Sequence, residues 1–160
     1  MKRPVTVLLV LGAMALCASA GDAATNVLVA CQASEFRSGV AQRLGERLQQ
    51  EGCTVKRIDV SGLAAESATN YRAVVICDAV RMWSMNRHVH RFLARTDDKA
   101  RARVIVLNTA GNDTWRSKEP GIQAITTASV VTKVDGTVAQ LLDRVHAAFG
   151  AAGAAPEKAL

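Results

Sequence analysis

The chain has 160 residues, enough for one domain with its own core, and 49% of them are hydrophobic, which excludes a disordered or low-complexity protein. Its 20 basic and 14 acidic residues give a formal charge of +6, a balance that favours anionic ligands or surfaces. The basic residues form no block and no run interleaved with aromatics, so nucleic acid is not expected as a partner.

The amino terminus reads as a targeting segment. Lys2 and Arg3 precede an apolar stretch from Val5 to Leu16, and Ala18-Ser19-Ala20 has the small-x-small pattern of a signal peptidase site. Cleavage is expected after Ala20, with Gly21-Asp22-Ala23 a second acceptable site. The stretch is shorter than the ~20 residues of a membrane-spanning helix. Leu16 stands before Cys17 where lipoprotein processing requires a small residue. Residues 1–20 are therefore assigned to a signal peptide, and a periplasmic or secreted location is expected.

Asn26 to Cys31 (NVLVAC) is a continuous apolar run, as a central strand buried on both faces requires. The helix after it turns Val40, Ala41, Leu44 and Leu48 to one side, and Gly52 is a C-terminal stop. Thr54 to Val60 alternates apolar and polar and reads as a strand nearer the sheet edge, whereas Ser61 to Asn70 offers one or two helical turns. Ala73 to Cys77 (AVVIC) and Arg103 to Leu107 (RVIVL) are further apolar strands, separated by a helix over Met85 to Arg95. Ile122 to Ile125 is a weaker strand. Asp135 can cap a last helix with Val138, Leu141, Leu142, Val145 and Phe149 inward. The Ala/Gly/Pro-rich residues 151–160 read as a disordered tail after a single domain over 26–150. Strands alternating with helices predict an α/β three-layer sandwich, with a five-stranded parallel sheet of order 2-1-3-4-5.

Two segments resemble the flavodoxin-like family: YRAVVICDAVRMWSMNRHVHRFL, residues 71–93, and VIVLNTAG, residues 104–111. The resemblance implies a ligand crevice at the topological switch point, walled by Gln32–Gly39, Asp78–Met85 and Thr109–Trp115. Its cofactor would be FMN, with Ser34, Arg37 and Ser38 at the phosphate. Asp78, Thr109, Gly111 and Asn112 would line the crevice, and Trp83 and Trp115 would flank the ring. The first loop departs from the family pattern. SEFRSG, residues 34–39, replaces a glycine- and threonine-rich sequence whose backbone N–H groups wrap phosphate. A helix N-terminus there still offers an anion-binding dipole. QAITTASV, residues 123–130, also resembles the segment that carries covalently attached FMN in some exported proteins, which would put the attachment at Ser129.

Cys31 and Cys77 end strands expected to be neighbours, so they are either a disulfide pair or two buried thiols. Cys53, at the opposite end of the sheet, is a spectator. The cysteines have no Cys-x-x-Cys spacing and no nearby His, and His88 and His90 lie on different sides of a helix, so no metal site is expected. Arg81 precedes Arg87, Arg91 and Arg95 at helical spacing, either a solvated face or a contact for an anionic surface. No nucleophile–base–acid set is visible, and the three histidines fall in helices away from the crevice. The expected function is a non-catalytic exported module binding a small anionic or planar ligand, or a protein partner, at the strand C-termini. FMN-dependent electron transfer and thiol redox chemistry through Cys31 and Cys77 are the alternatives.

Overall fold

The computed structural model describes residues 26–111 and 114–153; the expected signal peptide over residues 1–20, Asn112 and residues 154–160 of the expected tail lie outside them. Five strands, β1 (Asn26–Cys31), β2 (Thr54–Asp59), β3 (Ala73–Ala79), β4 (Val104–Ala110) and β5 (Gln123–Ala128), form one parallel sheet in the order β2-β1-β3-β4-β5. Four helices complete the fold: α1 (Glu35–Gln50), α2 (Arg87–Ala94), the short α3 (Asp98–Arg101) and α4 (Val134–Gly153). The three apolar runs become β1, β3 and β4 in the sheet centre, and the alternating segment becomes edge strand β2.

The pleat divides the core. Val27, Val29, Val75, Cys77, Ile105 and Leu107 face α1 and α4, whereas Leu28, Ala30, Val74, Ile76, Val104 and Val106 face α2 and the turns after β2. Helix α1 begins at Ser34, whose hydroxyl accepts from Arg37 N at 3.1 Å, and it buries Phe36, Val40, Leu44 and Leu48.

Several boundaries differ from the sequence reading. Helix α2 starts at Arg87 because Asn86 caps it, accepting from His88 N at 2.9 Å. Asp97 caps the unforeseen α3 by accepting from Ala100 N at 2.8 Å. Asp135 lies inside the first turn of α4 and pairs with Arg43 instead of capping. Helix α4 runs on to Gly153, past the expected start of the tail. Most relevant to function, β3 extends to Ala79 and β4 to Ala110, so Asp78, Asn108 and Thr109 are strand residues with buried side chains. Asp78 and Thr109 were expected in loops. Ladder hydrogen bonds carry them into the sheet in spite of their polarity, pairing Asp78 with Asn108 and Ala79 with Thr109.

Candidate functional site

The chain reverses its crossover direction between β1 and β3, and three segments meet at their C-terminal ends. The first follows β1. There Arg37, 7% exposed, folds back under its own loop. Its Nε donates to Gln32 O at 2.8 Å, one Nη to Ala33 O at 3.2 Å and the other to Thr109 Oγ1 at 2.7 Å. Thr109 passes its proton on to Asp78 O at 3.0 Å. A phosphate loop turns N–H donors inward towards an anion. This loop turns carbonyl oxygens inward towards a cation. Ser34 Oγ is spent on the helix cap, Phe36 is in the core, and Ser38 faces solvent with its N–H bonded to Ser34 O. Arg37 is therefore committed to its own loop and to Thr109, and Ser34 to the helix cap, so neither is left to hold an FMN phosphate, and these residues do not fit that group.

The second segment follows β3 and has the opposite character. Arg81 and Ser84 exchange N–H to O bonds of 2.9 Å in both directions, closing a two-residue turn on Met82 and Trp83. Their φ values, 48° and 64°, have the signs of a type I′ turn, which normally uses Asn-Gly. A left-handed conformation costs a residue with a Cβ about 1–2 kcal/mol. The strain holds two large apolar side chains in water: Met82 is 96% exposed and Trp83 80%.

The third segment follows β4. Gly111 leaves open space where a Cβ would project, and Trp115 packs against the α2 side of the core. Between the second and third segments lies a cleft of about 260 Å³ lined by Val80, Met82, Trp83, Ala110, Gly111 and Trp115. One wall is anchored and the other stands free. The volume falls just below the roughly 300–1,000 Å³ usual for ligand sites.

Behind this cleft the structure assembles a row that the sequence did not disclose. Ser84 Oγ lies 3.2 Å from His90 Nε2, and His90 Nδ1 lies 2.9 Å from Glu119 Oε1. The expectation that the histidines lie away from the crevice is thus corrected for His90. Because α2 starts late, His90 sits in its first turn and faces the crevice, its N–H bonded to Asn86 O at 3.1 Å. The row ties the Trp83 turn to the segment carrying Trp115. Residues 29 positions apart in sequence gave no local signal of it.

Asp78 connects the segments. Its Oδ2 accepts from Asn86 N at 2.7 Å, while Oδ1 and both polar side-chain atoms of its neighbour Asn108 are buried without a hydrogen-bond partner. Burial raises the Asp78 carboxyl above its ordinary range, opposed by bonds from the Asn86 and Ala79 amides and by the charges of Arg37 and His90. A protonated Asp78 would supply the donor that Asn108 Oδ1 lacks.

The remaining expected residues fall elsewhere. Arg87 and Arg91 are exposed on α2, but Arg95 leaves the stripe. Its guanidinium donates to the carbonyls of Leu63, Ala64 and Glu66 and stacks 5.5 Å from the Phe92 ring centroid. Ser129 is exposed just beyond edge strand β5, which QAITTA forms. Cys31 and Cys77 stand in register on β1 and β3 as free thiols.

Among solved structures, similarity extends to a flavodoxin from the domain Archaea, 10% identical with a TM-score of 0.53, covering 77% of this chain and 98% of that one. An NADH:FMN oxidoreductase in its apo form is 13% identical with a TM-score of 0.58 over 82% and 92% of the two chains. Flavodoxin 2 from Bacillus cereus is 12% identical with a TM-score of 0.51 over 74% and 99%. The chain has the flavodoxin-like fold. No protein-family model and no curated protein matches the sequence. A shared fold at such low identity carries over the crevice position but not the chemistry in it.

Proposed function

We propose that the chain is an exported, non-catalytic flavodoxin-like module that binds a planar aromatic group between Trp83 and Trp115, without a phosphate anchor. The observation that carries this reading is the strained turn. Backbone strain is spent on holding Met82 and Trp83 in solvent beside an open cleft, and strain of this kind concentrates at binding sites. Aromatic faces stack on planar ligands, and the exposed methionine supplies an adaptable apolar contact. The Lys2–Ala20 segment supports export.

FMN is the second reading, favoured by the names of the structural neighbours, a flavodoxin and an NADH:FMN oxidoreductase. Arg37 argues against its phosphate. Titration of the mature protein with FMN and riboflavin in parallel, followed by flavin and tryptophan fluorescence, separates the two. Equal quenching by both flavins is expected from stacking alone. An FMN affinity tenfold or more above riboflavin, worth about 1.4 kcal/mol, would establish a working phosphate site and overturn the first reading. Binding of neither would remove flavins from the ligand class.

A further inference from the structure

The flavin question leaves unused a second feature of the same sheet end. The register places Cys31 opposite Cys77 on adjacent parallel strands, and both side chains project to the α1 side of the sheet. Adjacent strands lie ~4.8 Å apart, within the Cα separation that a disulfide spans. The Cys31 thiol donates to Gln32 O at 3.5 Å, and Cys77 is its cross-strand neighbour. The two thiols are unequal in access. Cys77 is fully buried, whereas Cys31 is half-buried and lines a groove of about 440 Å³ with Ala33, Ser38, Arg57 and Asp59. This groove lies on the β2 side of Cys31 and shares no lining residue with the tryptophan cleft.

We propose that Cys31 and Cys77 form a dithiol site that reacts with low-molecular-weight disulfides, Cys31 attacking from the groove and Cys77 resolving from the core. The inference goes beyond the binding function and does not depend on it. In the first step the Cys31 thiolate attacks one sulfur of the disulfide RSSR. A Cys31–SR bond forms, the S–S bond breaks, and the departing thiolate takes up the proton that Cys31 released. In the second step Cys77 sulfur attacks Cys31 Sγ, its proton passing to the second departing thiolate. Two electrons leave the protein, and one Cys31–Cys77 bond and two RSH molecules result.

The environment divides these roles. The neighbouring Cys77 thiol and the Arg37 charge lower the Cys31 thiol from its ordinary value, against its partial burial and the Asp59 charge. The neighbouring Cys31 sulfur and full burial push Cys77 well up. The attacking thiolate is thus favoured where a substrate reaches it. Arg57 and Ser38 in the groove suit a disulfide that carries carboxylates, as peptide disulfides do.

Oxidised glutathione is the probe. Folded mature protein, first reduced, is incubated with it, then unfolded, alkylated and mapped as peptides. Cys53 alone should alkylate, and Cys31 and Cys77 should appear as one cross-linked peptide pair that dithiothreitol releases. The C77A variant should arrest as a glutathione mixed disulfide on Cys31, and C31A should react at Cys77 at least tenfold more slowly than Cys31 reacts in C77A. Three alkylated thiols in the wild-type protein, or a bond that includes Cys53, would overturn the proposal. That readout needs no variant, so poor folding of C77A leaves it intact.

Discussion

The loop after β1 and the turn after β3 occupy the same end of one sheet and solve opposite problems. The first carries no glycine before Gly39, yet none of its residues has a left-handed backbone, its Gln32 and Ala33 carbonyls accept from Arg37, and Ser34 caps the helix. The second adopts the geometry of a glycine turn without glycine and projects Met82 and Trp83 into water. A segment that closes on itself at low energy has no use for a ligand. A segment that keeps strain and exposed apolar surface has forgone stability for something outside the chain. On the proposed reading, binding uses the aromatic end of the crevice and not its phosphate end.

The largest effect should come from breaking the closed loop. Arg37→Met strands Gln32 O, Ala33 O and Thr109 Oγ1, each of which accepts a charge-assisted bond. Such bonds contribute roughly 1.5–3 kcal/mol each, so unfolding in urea should show a loss of at least ~3 kcal/mol. Arg37→Lys should restore little, because an ammonium cannot span three acceptors as the planar fork does. A stable Arg37→Met protein would show that the loop does not depend on its internal cation. It would also reopen the phosphate question. The turn should respond in the opposite direction. Replacing Met82-Trp83 by Asn-Gly relieves left-handed strain of about 1–2 kcal/mol per residue, so stability should rise while stacking of planar ligands is lost. A protein neither more stable nor weaker in binding would mean that the exposed pair is incidental.

The two regions were unequally legible in the sequence. The apolar runs at 26–31, 73–77 and 104–107 gave the central strands, and their alternation with helices gave the sheet order, because burial on both faces leaves an uninterrupted hydrophobic pattern. Polar strand ends obey no such pattern. Asp78 and Asn108 resemble loop residues in a one-dimensional reading, and only the ladder shows them buried. The sequence places Arg37 at a bound phosphate and Arg95 on a solvated or anion-contacting stripe, since nothing local announces that a guanidinium will turn back onto carbonyls 4 and 31 residues away. The sequence places Trp83 in a crevice loop, and the structure puts it in the lining of the cleft. Its strained backbone was not legible, because Met-Trp is the reverse of the composition that a type I′ turn selects.

The smallest effect lies at the joint between the two regions, where Asp78 bonds both. Its carbonyl accepts from Thr109 on the Arg37 side, and its carboxylate accepts from Asn86 behind the Trp83 turn. Burial raises the carboxyl above the 3.8 of an unfolded aspartate, so between these values the native state holds more protons than the unfolded one. Stability contributed by this group must fall as pH rises through the raised value, the reverse of a salt-bridged aspartate. Asp78→Asn keeps an acceptor for Asn86 and adds an amide beside Asn108, and it does not titrate. Thermal unfolding of the two proteins across pH 4 to neutral should therefore show the wild type losing stability relative to the variant as pH rises. A difference that does not change with pH would mean that the joint holds a stable carboxylate, with Asn108 Nδ2 turned to donate to it. The tryptophan turn and the arginine loop would then be joined through a charged Asp78 instead of a protonated one.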